Sequence, residues 1–250
     1  MTQCDQKYAI LGIACVLVLP CLRVAADSVV LNPAKDNSLM EDPNGIFSNA
    51  TSEGVFSGRT GDHFQQRVLR GLVEFDLQGS IPPGATINSA SLTMYCVATV
   101  NLAQSHSLHR VLAEWGEGTS GSGGGGGSPS TTGDATWIHR FYPDVLWNNP
   151  GGDYAVTPSA TASVGAGGET TVWSGPQLTA DIQAWVNDSP SNHGWIVIGN
   201  EAALNTAKKL ASREWPIPEQ VPMLAIDFTP APLCPADVSP QPNRDGVVDI

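Results

Sequence analysis

The stretch TINSASLTMYCVATV, residues 86 to 100, decides how this chain folds. Leu92, Met94, Cys96, Ala98 and Val100 alternate with Thr93, Tyr95, Val97 and Thr99, a period of two that puts one set on each face of a strand. Shorter alternations mark LVEFDL (72 to 77), WIVIG (195 to 199) and MLAIDF (223 to 228). Turns separate them: IPPGA (81 to 85) and DPNG (42 to 45) carry proline ahead of glycine or asparagine. Helical spacing marks LTADIQAWV, where Leu178, Ile182, Trp185 and Val186 share one face. Many short strands, one short helix and abundant Gly and Pro predict an all-β fold, an antiparallel β-sandwich.

The run GTSGSGGGGGSPSTTGDATW, residues 118 to 137, governs how many domains that sandwich makes. Glycine and serine at this density form a flexible coil by themselves. On its left the strand-like SLHRVLAEW ends in Trp115; on its right GDATW, Phe141, Tyr142 and Trp147 resume apolar content. Neither half supplies enough strands to close a sandwich alone. A phosphate-cradling loop needs a lysine and a hydroxyl after its last glycine, whereas Ser128 and Pro129 follow here. Residues 116 to 136 therefore read as a long excursion within one domain, 27 to 229. It is expected to be dispensable, because closure entropy grows only logarithmically with loop length.

Residues 1 to 26 read as a secretory signal: Lys7, the apolar run AILGIACVLVLP, and Val24, Ala25 and Ala26 before the cleavage point. The run is shorter than the roughly 20 residues a bilayer demands, and Pro20 breaks it. Pro20 also stands where a lipoprotein cysteine needs a small neighbour. The expected location is secreted, extracellular or at the cell surface, with no membrane insertion after cleavage. Cys4, Cys15 and Cys21 leave with the signal, and Cys96 and Cys234 remain, too few for a disulfide scaffold. The two either form a disulfide or stay unconnected, with Cys96 buried. Of 12 basic residues Lys7 and Arg23 are lost and of 24 acidic ones Asp5, leaving 10 against 23, a net of −13. That balance argues against nucleic acid as a partner. It suits solubility outside the cell and offers carboxylates for calcium.

Taken in order, DNSLMED (36 to 42), FSGRTG (56 to 61), LVEFDLQGSIPPGATINSASLTMY (72 to 95), LHRVLAEWGEGT (108 to 119), GDATW (133 to 137), NPGGDY (149 to 154), DIQAWV (181 to 186), HGWIVIGNE (193 to 201) and TAKKLASRE (206 to 214) resemble the secreted bacterial DNRLRE domain family. The resemblance implies a jelly-roll β-sandwich, and in some members a non-catalytic carbohydrate-binding module for acidic polysaccharides such as alginate. In the naming motif Asp36, Asn37, Leu39 and Glu41 match, while Ser38 and Met40 replace two arginines. A jelly roll often holds a structural ion where its terminal strands meet, and Asp36, Glu41, Asp42 and Asp227 are spaced for such a calcium site. The tail CPADVSPQPNRDGVVDI, 234 to 250, resembles the opening of a dockerin-like calcium loop. Asn243, Asp245, Gly246 and Asp249 fit its third, fifth, sixth and ninth positions. Gln241 is a poor first ligand, and a disordered Pro-rich stub is the alternative. Further domains are expected in the parent protein.

Catalytic constellations are missing from the sequence. Glu117 and Asp134 border the glycine run as a glycosidase pair would, yet turn or calcium roles suit them better. The five histidines show no HExxH spacing, and no G-x-S-x-G elbow is present. His109 reads as packed. Most of the seven tryptophans read as core, while Trp115, Trp137 and Trp147, with Tyr142, lie near loops where a sugar-stacking platform forms if it is not core. Arg59, Arg67 and Arg70 crowd one segment and Lys208, Lys209 and Arg213 another. If the sandwich joins them, a uronate-binding face results around Arg59, Arg67 and Lys208, with Trp115 or Trp137 holding the ring. Ion pairs with Glu74, Asp76, Glu201 and Glu214 are the alternative. The leading function is a secreted polysaccharide-binding module without catalysis. A structural or adhesive spacer comes second and a polysaccharide-degrading enzyme last.

Overall fold

The computed structural model describes residues 25 to 121 and 124 to 232. The segment expected to be a signal, to residue 24, and Cys234, Asn243, Asp245 and Asp249, the last three expected in a calcium loop, lie outside the described residues. The strands are β1 (Asp27–Leu31), β2 (Lys35–Met40), β3 (Phe47–Ser48), β4 (Gly54–Arg59), β5 (Val68–Glu74), β6 (Thr86–Thr99), β7 (Gln104–Arg110), β8 (Ser128–Pro129), β9 (His139–Phe141), β10 (Val145–Leu146), β11 (Ala160–Val164), β12 (Thr170–Ser174), β13 (Trp195–Ile198), β14 (Lys208–Ala211) and β15 (Met223–Thr229). One α-helix, α1 (Pro176–Asn187), follows β12.

Eleven strands make a single curled antiparallel sheet in the order β1-β15-β6-β14-β4-β5-β13-β7-β11, with β12 added on β6 and β2 on β5. The protein is an all-β antiparallel sandwich with one short helix, as its alternation predicts. Inward side chains of β6 (Leu92, Met94, Cys96), β13 (Trp195, Val197), β12 (Trp173) and β15 (Leu224, Ile226, Phe228) share one core with Leu178, Ile182 and Trp185 of α1.

Two register shifts correct the simple alternation of β6. Between Asp227 and Phe228 the pairing skips Asn88, so Ile87 and Ala90 both turn inward although three positions separate them. Between Lys209 and Leu210 it skips Val97. A bulge of this kind reverses the parity beyond it. Ala98 therefore leaves the face of Cys96 and becomes exposed, and Val100, expected with it on the apolar face, is exposed too.

A second core lies on the opposite face of the β2-β5-β13 layer. Leu39, Leu72 and Ile196 pack there against Val111, Trp115, Ala135 and Trp147. The glycine-rich excursion thus leaves and returns through buried ground. Asp134, fully buried, accepts hydrogen bonds from the backbone N–H groups of Thr119 (3.0 Å), Ser120 (3.3 Å) and Thr131 (2.5 Å) and ties the two ends of the excursion together. Ser128 and Pro129 pair with Phe47 and Ser48. Gly127 lies so close to Met40 that an added Cβ would meet its sulfur at 2.1 Å, and its φ of 71° also favours glycine.

Asn37 of β2 carries the other fastening. Its Nδ2 donates to Glu117 O (2.9 Å) and Ala135 O (3.5 Å), and its Oδ1 accepts from Ser38 N (2.6 Å), Ser48 Oγ (3.0 Å) and Asn49 N (3.1 Å). The expectation of a dispensable loop is therefore revised for physical reasons. Replacing 120 to 131 by a shorter Gly-Ser loop removes β8 and the apolar contacts over Met40, and it should lower the melting temperature. Asn37→Ala takes the amide donor from Glu117 O and the acceptor from the N–H groups of Ser38 and Asn49, while Ser48 Oγ keeps its bond to Ala135 O at 2.8 Å, at about 1–3 kcal/mol for such a loss. A cooperative melt several degrees below that of the parent is expected by calorimetry, and an unchanged melt would show that Asn37 is no fastening.

Candidate functional site

The two basic segments do meet, because β14 pairs with β4 in the register Lys208 to Ser57 and Lys209 to Phe56. Their charges do not gather into an open uronate patch. Lys208 is fully buried, and its ammonium donates to the carbonyls of Asn101 (3.3 Å), Leu102 (2.8 Å) and Gly165 (2.8 Å). Burial pushes its pKa down. Arg59 donates to Gln66 O (2.9 Å) and Glu201 O (3.1 Å). Arg67 bonds Gln65 Oε1 at 2.8 Å, lies 3.7 Å from Asp42, and stacks over Phe47 at 4.5 Å. Arg70 forms a two-pronged pair with Glu201 (2.7 and 3.0 Å) between the rings of Trp137 and Tyr154. Arg213 reaches Glu117 (2.9 Å) and Glu214 (2.7 Å). The ion-pair alternative holds for Arg70 and Arg213, and Arg59 fastens the backbone of the same 201 loop that Arg70 holds by its carboxylate.

Trp115 is not an open platform: it is 1% exposed and donates Nε1 to His193 O at 2.9 Å. Lys35 lies over its ring at 4.4 Å. Trp137 is half-buried with Arg70 on its face, and Trp147 is core. His109 packs edge-on to Tyr154 and bonds Ala155 O and Ser107 Oγ.

What the pairing of β4, β14 and β6 does create is a groove of about 440 Å³ on their outer face. Phe56, Lys209 and Ala98 are cross-strand neighbours on that face, with Ala98 placed there by the bulge at Val97. One wall is the 3-10 turn Asp62–Phe64, where the Phe64 ring is 45% exposed and stands edge-on to His63. The glycine tract lies against the other aromatic surfaces: an added Cβ would sit 3.3 Å from the Phe56 ring at Gly125 and 3.5 Å from Phe64 at Gly126. Gln65, Gln66 and Asn205, the non-glycine residues with positive φ among the described residues, border the groove or follow its turn. Such conformations concentrate where a surface must present groups in a fixed way. Lys209 and His63 line it beside one carboxylate, Asp62, while the ammonium of Lys208, which also borders it, is buried against the carbonyls of Asn101, Leu102 and Gly165. Sequence reading passed over this turn because a single phenylalanine after GDH has no periodicity to betray it.

The four carboxylates expected to hold calcium are not brought together. Asp227 on β15 accepts Ser89 Oγ at 2.7 Å, Glu41 accepts Val68 N–H at 2.9 Å, and Asp42 caps Asn44 N–H at 3.0 Å. Asp36 lies on β2 opposite Val73. No cluster of three or more His, Cys, Asp or Glu with metal-binding geometry occurs among the described residues. Glu117 and Asp134 likewise serve the backbone, Glu117 by accepting Asp36 N–H at 2.9 Å. The Cys96 thiol is fully buried, and burial pushes its pKa up. No helix among the described residues is long and apolar enough to cross a membrane.

Asp36 is 1% exposed; Oδ2 accepts Arg213 N–H at 2.7 Å, while Oδ1 has no hydrogen-bond partner. Burial holds its carboxyl well above the usual range, and nearby Glu214 and Glu117 add to this against Arg213. A folded pKa above the unfolded one contributes stability that is complete below the unfolded value of about 3.9 and is lost as pH rises through the folded value. Asp36→Asn removes that titration. Its melting temperature should gain on that of the parent as pH is raised from 4 to 9, and a constant difference would show Asp36 ionised throughout.

Compared with protein-family models and with curated proteins, the chain matches none of them.

Proposed function

We propose that this chain is a secreted, non-catalytic polysaccharide-binding module, in keeping with its resemblance to DNRLRE domains, and that its glycan lies in the groove over β4, β14 and β6. The observation that carries the reading is the composition of that groove: the half-exposed Phe64 beside hydroxyl, amide and lysine groups, over a floor that includes the buried Phe56. Aromatic faces take the apolar face of a sugar ring, and the polar groups fix its hydroxyls. Lys209 is the ammonium that the lining offers to an acidic, uronate-type glycan, the ligand class that the resemblance implies. A non-catalytic role suits a site with one carboxylate, since glycoside hydrolysis by the common route needs two. The dockerin-like tail supports a place beside further domains of a parent protein. Calcium has no part in this reading.

Affinity electrophoresis on alginate, pectin and a neutral glucan tests it. Alginate or pectin should retard the protein, less so at high salt, because charges are screened beyond a Debye length of about 8 Å at physiological ionic strength. Phe64→Ala removes a half-exposed ring, about 1 kcal/mol of burial on binding, or roughly fivefold in affinity. Gly125→Leu, at the glycine of the tract that lines the groove, should obstruct it and abolish retardation with a cooperative melt retained, its Cβ meeting the Phe56 ring at 3.3 Å. Retardation by the neutral glucan alone would remove the uronate preference. No retardation by any of the three would favour the spacer or adhesive role.

A further inference from the structure

A second concavity has no residue in common with the glycan groove, and its charged lining is acidic. It measures about 770 Å³ and lies between the segment Glu74–Pro83 and the end of α1 with the turn after it. We propose that it binds a cationic side chain, arginine or lysine, carried by an extended segment of a partner protein. Its charged lining consists of Glu74 and Asp76, without a lysine, arginine or histidine.

Glu74 is only partly compensated. Lys35 Nζ stands 3.1 Å from its Oε2, but the same ammonium donates to Trp115 O at 2.7 Å and faces the Trp115 ring. Burial pushes the Glu74 carboxyl up in spite of Lys35, and Glu114 and Asp76 act in the same direction. A second cation entering the cavity would find an under-neutralised carboxylate. Asp76 is exposed and accepts one backbone hydrogen bond, from Gln78 at 2.9 Å, which leaves acceptor capacity for a guanidinium.

An independent observation concerns Trp185. It is one of the residues that line the cavity and is 1% exposed, yet its Nε1 has no hydrogen-bond partner. A buried indole N–H normally finds an acceptor. A peptide carbonyl inserted beside the ring supplies one.

The walls favour a peptide over an amino sugar. Trp185 offers almost no open ring face for a sugar to stack on, whereas Ile81, Pro82, Pro83 and Val186 present aliphatic surface suited to the methylene stem of an arginine or lysine. Consecutive prolines at 82 and 83 keep that wall rigid, so little ordering is required on binding.

The test uses two labelled hexapeptides, Pro-Pro-Arg-Pro-Pro-Arg and a twin with citrulline at both arginine positions, followed by fluorescence anisotropy. Citrulline keeps the shape and removes the charge. The arginine peptide should bind at least tenfold more tightly than its twin. Asp76→Asn, which retains the turn acceptor, should weaken it severalfold, and Ser80→Arg, which places a cation in the site, should abolish binding, both at unchanged melting temperature. The indole N–H resonance of Trp185 should shift on titration. Equal affinity for the citrulline peptide, indifference to Ser80→Arg, or binding of a glucosamine tetramer in place of the peptide would overturn the proposal. Alginate retardation, measured on the same variants, should be unaffected by all of this.

Discussion

The carboxamide of Asn37 presents a donor and an acceptor from one buried side chain, and both ends are needed where it stands. Its N–H groups take the carbonyls at the two ends of the glycine-rich excursion, and its oxygen takes the hydroxyl and N–H of the segment 48–49. An aspartate has the same shape but no donor, so Glu117 O and Ala135 O would face a charge. Because Ala135 and Trp115 belong to the second core, the amide settles where that core closes over Leu39, Leu72 and Ile196. The groove wall formed by Gly125 and Gly126 inherits its position from the same fastening.

Carboxylates repeat this pattern through the protein. Asp134 accepts three backbone N–H groups, and Asp153 accepts Asn148 N and Asn149 N at 2.8 and 3.0 Å together with both amide side chains. Asp181 of α1 takes Trp195 Nε1 at 3.1 Å and the Ser159 hydroxyl. Asp134 and Asp153 replace a hydrogen-bonded secondary structure that an irregular segment does not provide, since buried backbone N–H groups must be satisfied somewhere, whereas Asp181 joins side chains. An acidic composition in this protein is therefore partly architectural. Much of the charge that suggested calcium is aimed at the backbone.

The sequence made the sandwich legible through Leu92, Met94 and Cys96, whose period of two survives burial intact. It did not show the bulges at Asn88 and Val97, since an extra residue is defined by the partner strand and leaves no local sign. The face of α1 was read correctly at Leu178, Ile182 and Trp185, while Asp181 on that face was missed because a polar residue breaks an apolar pattern however well it is bonded. The meeting of the Arg59 and Lys208 segments was legible as topology. The engagement of their charges was not, because Lys208 finds its three carbonyls in turns distant in sequence.

The same distinction explains why the two concavities escaped a reading by residue type. Lys209 and Phe56 become groove residues only through the pairing of β14 with β4, and Ala98 only through a bulge. Glu74 looks like one of several surface acids in sequence, yet it lies half-buried beside Trp185 with a lysine that also serves Trp115. A formal net charge of −12 suggests one uniform field. Paired arginines and the buried Lys208 cancel that field locally and leave it standing elsewhere, so a lining that holds Lys209 and one with carboxylates alone coexist on one small sandwich. Charge selects between ligands here through its local remainder, and that remainder is set by which side chains the backbone has already engaged.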